Sequence, residues 1–127
     1  MSLVSVLLVA MGGAFGSVCR YLVGVGASRF LGPDFPFGTM IVNIVGSFFM
    51  GLFIELLALK LDGSESLRLF VAVGVLGGFT TLSSFSLDSI VLFERGAIGA
   101  AALYVGGSIL LSLAALVAGL HFVRAFA

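Results

Sequence analysis

The sequence predicts an all-α membrane protein with four transmembrane helices, and three observations carry that reading. Only 9% of the 127 residues are charged, against roughly 25% in soluble domains. Hydrophobic residues make up 61%, and the mean hydropathy is +1.30. The charges are also placed so that residues 1–19, 35–54, 69–87 and 96–123 carry none, with His121 counted as neutral. A bilayer core takes about 20 mainly apolar residues per helix, so each stretch is long enough to span.

The first helix is expected over roughly residues 3–25. It lacks the basic start and the small-x-small end of a secretory leader, so it is kept as a span. Gly12 and Gly16 stand at the small-xxx-small spacing that lets helices approach closely. The link that follows holds Gly32, Pro33, Asp34 and Pro36, all turn formers. The second helix, over roughly 37–59, repeats a polar residue at Thr39, Asn43 and Ser47, one stripe along one face. Asp62, Gly63, Ser64, Glu65 and Ser66 mark a solvated loop. The third helix, over roughly 68–92, contains Gly74 and Gly78 at the same small-xxx-small spacing and the stretch GGFTTLSSFS. Glu94, Arg95 and Gly96 form a tight turn before a fourth helix over roughly 97–122, where Tyr104, Ser108 and Ser112 make a second stripe. Residues 1–127 are thus expected to form a single transmembrane domain, and function is expected to lie in the membrane.

Several classes of function are disfavoured at once. Net charge is zero, with six basic and six acidic side chains, so no basic patch for nucleic acid is expected. A single cysteine, Cys19, allows neither an intrachain disulfide nor a cysteine metal cluster. A single histidine near the C-terminus gives no Ser-His-Asp triad. An enzyme is therefore not expected.

Lys and Arg counts give no orientation. Lys60, Arg68 and Arg124 fall on one side, and Arg20, Arg29 and Arg95 on the other. Since the basic residues set insertion, two readings stand open: a fixed orientation set by other features, or insertion both ways with pairing into an antiparallel dimer. Four helices enclose little interior, and 18 glycines offer much small surface for association.

Polar groups in hydrocarbon are costly and mark candidate sites. Each stripe either glues helices, at about 0.6 kcal/mol per contact, or lines a narrow hydrated track. Asn, Ser, Thr and Tyr all offer donors, and neither stripe contains a carboxylate. That chemistry suits a small anion or a neutral solute. Glu55 and Asp88 lie toward span ends, where pairing or solvation accounts for them. Arg20, near the end of the first span, either snorkels to the interface or draws anions into a vestibule. Phe85 lies among hydroxyls, and an aromatic edge is positive enough to face an anion. Gly77 and Gly78 cost about 1 kcal/mol each relative to Ala in a helix. Either they permit close packing, or the span breaks there and frees backbone groups, as ion-binding broken helices do.

These elements together resemble the Fluc/CrcB family of fluoride channels. The resemblance covers essentially the whole chain: Gly12, Gly16, Arg20 and Tyr21 in the first span, Gly38, Thr39, Asn43 and Gly46 in the second, and GGFTTLSSF in the third. It implies a multi-pass protein of the bacterial inner membrane and an antiparallel, dual-topology homodimer. It further implies two pores, a third helix broken near its centre, and passive efflux of fluoride that relieves its toxicity. It implies a structural, untransported sodium ion held by backbone carbonyls of Gly77 and Thr80 from both subunits. It also implies a fluoride pathway past Asn43, Phe85, Leu82, Tyr104, Ser108, Ser112, Thr39 and Ser84, with Arg20 at the vestibule. One position departs: the family pattern has Phe where this chain has Leu82, and leucine offers no positive edge. A proton-coupled small-molecule exporter, or a membrane subunit that transports nothing, are the competing readings.

Overall fold

The computed structural model describes residues 1–126. The first helix, α1 (Leu3–Leu31), starts at Ser2, whose hydroxyl accepts the Ser5 N–H at 3.1 Å, the usual service of an N-cap serine. It runs through Arg20 and Arg29 and stops only at Gly32, where φ is +88° and Pro33 follows. The terminator is backbone geometry rather than charge, because a left-handed glycine before proline cannot continue a helix. Helix α2 (Phe37–Leu59) follows a five-residue link.

The third span, Glu65–Glu94, is composite. Its first part, α3 (residues 65–79), begins with one α-turn over Glu65–Leu67 and continues as π-helix over Arg68–Leu76. It ends with another α-turn over Gly77–Phe79. Wider π-turns of this kind are rare and concentrate near functional sites. Thr80 and Thr81 are extended, and α4 (Leu82–Glu94) resumes after them. Helix α5 (Ile98–Phe126) is the last described element and follows a turn at Gly96, φ +82°.

Four helices long and apolar enough to cross a bilayer make this a multi-pass membrane protein. The most extensive pairing is α2 with α5, and α1 lies along α3. Both interfaces bring backbones together at glycine. A Cβ at Gly78 would sit 2.6 Å from the Gly13 carbonyl oxygen, and one at Gly119 would sit 2.7 Å from the Leu52 nitrogen. Van der Waals contact over such surfaces is what holds helices together in lipid, where no hydrophobic drive acts between them.

Two arginines tie distant parts of the chain together. Arg124 near the end of α5 bonds Glu55 on α2. Arg95 donates to the Asp34 carbonyl at 2.8 Å, which joins the first and third links at one end of the bundle. The shielded interior is small: Val42 and Tyr104 are its fully buried large side chains among the described residues.

Candidate functional site at the extended turn of the third span

The site is built around Thr80 and Thr81. In an unbroken α-helix the Thr81 N–H would donate to the Gly77 carbonyl, and the Ser84 N–H to the Thr80 carbonyl. Neither bond forms. Thr81 N–H donates instead to Asn43 Oδ1 at 2.8 Å, and Ser84 N–H donates to Thr81 Oγ1 at 3.1 Å. The second bond makes Thr81 the N-cap of α4. The carbonyls of Gly77 and Thr80 are thereby deprived of their helical donors.

Asn43 completes the pairing from its other end. Its Nδ2 donates to the Thr81 carbonyl at 2.9 Å. The side-chain amide thus satisfies both backbone groups of one extended residue, as a neighbouring strand would. Orphaned backbone groups at membrane depth cost several kcal/mol unless satisfied, so this one side chain makes the extended conformation tenable. An amide nitrogen has two donors, and the second is left over.

Arg20 also reaches this turn. Its Nε donates to the Gly78 carbonyl at 3.0 Å. Helical geometry itself continues through Gly77 and Gly78, and the extended residues come after them. The Thr80 hydroxyl is committed locally, to the Leu76 carbonyl at 2.9 Å, beside the Thr80 N–H at 3.0 Å.

The candidate residues divide between two grooves. One, of about 280 Å³, is lined by Asn43, Ser47, Leu82, Phe85, Ser108 and Ser112, with Thr80 and Thr81 at its wall. Its polar side chains are hydroxyls and one amide, and no carboxylate lines it. Ser108 is 3% exposed, and its Oγ has no hydrogen-bond partner among the described residues. A donor buried without a partner is uncommon enough to need an explanation. The other groove, of about 750 Å³, is lined by Arg20, Arg29, Thr39, Ser84 and again Thr81. Thr81 belongs to both, so its bonds with Asn43 stand between them. The stripe of α2 is therefore split, with Asn43 and Ser47 facing one groove and Thr39 the other.

Tyr104 lines neither groove. It is wholly buried, and its hydroxyl donates to Asp88 Oδ2 at 3.0 Å. Its ring lies 5.3 Å from that of Phe85 and 5.6 Å from that of Phe35, the latter edge-to-face. Such pairs add about 0.5–1.5 kcal/mol beyond burial. They fix Phe85 from behind while its other side borders the smaller groove. Leu82 is 76% exposed in the single chain.

Sequence patterning did not reveal the bonds from Asn43 to Thr81, Arg20 to Gly78 or Tyr104 to Asp88. The Thr81–Ser84 cap was available as a Thr ahead of a helical stretch. The others join distant positions and carry no local signal.

The fold and the site together define a four-span membrane protein with a donor-lined groove beside the extended residues of its third span. Residues 7–120 match the family model for CrcB-like protein, Camphor Resistance (CrcB), and the chain belongs to that family. It is 58% identical over 122 residues to a fluoride-specific ion channel, FluC, of Agrobacterium fabrum, covering 96% of this chain and 98% of the relative. A protein of the same name from Rhizobium johnstonii is 54% identical over 125 residues, 98% of this chain and all of the relative. One from Cereibacter sphaeroides is 55% identical over 120 residues, 94% of each.

Proposed function

We propose that the chain is a fluoride-specific channel of the bacterial inner membrane, through which fluoride leaves the cytoplasm passively and its toxicity is relieved. The names of its near full-length relatives support this reading. The observation that carries it is the smaller groove, whose polar lining is Asn, Ser and Thr with no carboxylate, and which holds the Ser108 hydroxyl, without a partner among the described residues.

The chemistry follows from those groups. Fluoride gives up tightly held water only where donors replace it. Ser108 and Ser112 offer O–H, and Asn43 keeps one N–H after serving Thr81. Phe85 offers a ring edge at the same groove. Leu82 closes the space without contributing an edge, so the lining has one aromatic face where the family pattern has two. Arg20, Thr39 and Ser84 border the larger groove, whose positive charge suits an anion vestibule. Tyr104 acts from behind, steadying Phe85 and holding Asp88. The membrane potential supplies the drive, about 2.3 kcal/mol per charge for each 100 mV.

The reading includes an antiparallel homodimer with one pore on each flank, in contact with membrane lipid. Balanced basic residues on the two sides fit insertion both ways, and a wide apolar surface is available to a second copy. It also includes a structural sodium ion. The carbonyls of Gly77 and Thr80 fit such a hard cation, since both have lost their helical donors and Gly77 is exposed on the single chain. When bound, sodium would supply a fixed positive charge that neutralises carbonyl ends brought together from two subunits.

Cells sensitised to fluoride test the reading. Expression of this chain is expected to restore growth in fluoride, and a reporter fused to the C-terminus is expected on both membrane faces. No protection from a well-expressed chain would count against the channel, and a reporter confined to one face against the antiparallel dimer.

A further inference from the structure

The two bonds at Thr81 point to a role for Asn43 apart from contact with the permeating ion. We propose that Asn43 is a positioning residue for the cation: by taking the Thr81 N–H, its Oδ1 keeps the Gly77 carbonyl free to bind. This rests on the reading of the chain as a two-subunit channel with a cation between the subunits. The observation is a competition for one donor. Thr81 N–H has two acceptors it can serve, the Gly77 carbonyl four residues back or Asn43 Oδ1, and it serves Asn43 at 2.8 Å.

The same amide borders the smaller groove. Its Nδ2 donates to the Thr81 carbonyl at 2.9 Å and keeps a second N–H. One side chain thus faces the anion with one end and frees a cation ligand with the other. Arg20 completes the selection of carbonyls. By donating to Gly78 at 3.0 Å it removes that oxygen from the set, next to the Gly77 and Thr80 carbonyls that the resemblance assigns to the cation. Without Oδ1, the Thr81 N–H returns to Gly77, the extended pair winds into the helix, and the cation loses a ligand.

The experiment reads the cation with fluoride absent. Thermal stability of the purified dimer is followed while sodium replaces a bulky organic cation at constant ionic strength. The wild-type melting temperature is expected to rise with sodium. Asn43→Ala, lacking the acceptor, is expected to need at least tenfold more sodium for the same rise. Asn43→Asp keeps an acceptor oxygen and is expected to need no more sodium than wild type, although its added negative charge lowers fluoride flux. A wild-type sodium midpoint in Asn43→Ala overturns the proposal. If that variant does not fold, Asn43→Asp decides: a sodium response weakened tenfold overturns the proposal, and an intact one supports it. A wild-type chain that conducts fluoride without any sodium response also overturns it, while leaving the channel reading standing.

Discussion

Ser108→Ala separates a conduction role from a packing role with one deleted oxygen. The hydroxyl is buried at 3% exposure in the wall of the smaller groove and has no partner among the described residues. Leaving a polar group so placed costs about 1–3 kcal/mol of desolvation. Its removal should therefore leave folding stability unchanged or raise it by up to that amount. Conduction should respond in the opposite sense. A hydrogen bond to a charged species is worth about 1.5–3 kcal/mol, and each 1.4 kcal/mol is about tenfold in a rate or equilibrium. If fluoride accepts from Ser108 at its narrowest passage, flux should fall about ten- to a hundredfold. The assay is fluoride release from vesicles holding the variant beside wild type, with thermal unfolding run on the same preparation. Unchanged flux in a folded variant would refute the donor assignment. Lost flux accompanied by clear destabilisation would show that the hydroxyl holds the fold together, contrary to its unpartnered state.

Other perturbations probe neighbouring steps. Leu82→Phe should raise fluoride throughput by adding a positive ring edge to the groove; equal release rates would show that this edge does not matter. Asn43→Asp should suppress flux severalfold or more by placing a carboxylate in the donor-lined groove, and an unchanged rate would remove Asn43 from the path. Tyr104→Phe strips Asp88 of a 3.0 Å donor and should destabilise the protein by about 1.5–3 kcal/mol, read by denaturant unfolding; a change below about 0.5 kcal/mol would mean that water replaces the bond. Gly78→Val should weaken the α1–α3 contact by about 1–3 kcal/mol, the usual cost of overpacking, because its first added carbon already lies 2.6 Å from the Gly13 oxygen. A variant as stable as wild type would show that α1 can move aside.

The four spans were legible because a bilayer imposes one blunt requirement, length without charge, and the charge-free stretches meet it. The end of the first helix was not. The expected end near residue 25 falls short, and α1 runs on to Leu31, where Gly32 and Pro33 stop it; Arg20, which finds a carbonyl inside the protein, lies well within it. Gly77 and Gly78 drew attention to the right stretch of the third span. The extended residues are Thr80 and Thr81 instead. A hydroxyl that caps α4 and an asparagine that pairs with the backbone stabilise the departure more directly than glycine permits it. The π-helical geometry of RLFVAVGVL left no mark in its composition, and arises where the segment lies along α1. Of the two polar stripes, Asn43, Ser47, Ser108 and Ser112 line the smaller groove, and helical spacing places Ser108 and Ser112 together. It did not foresee that Tyr104, on the same stripe, would turn its hydroxyl to Asp88. That choice depends on a helix sixteen residues away in sequence.

Fluoride release from vesicles carrying the purified wild-type chain, loaded with potassium fluoride and made permeable to potassium alone, bears most directly on the function proposed. Release should begin as soon as the potassium path is opened, stop when it is closed, leave chloride behind in parallel vesicles, and be indifferent to an imposed proton gradient. Release no faster than from protein-free vesicles, equal passage of chloride, or strict dependence on a proton gradient would contradict a selective, passive fluoride channel.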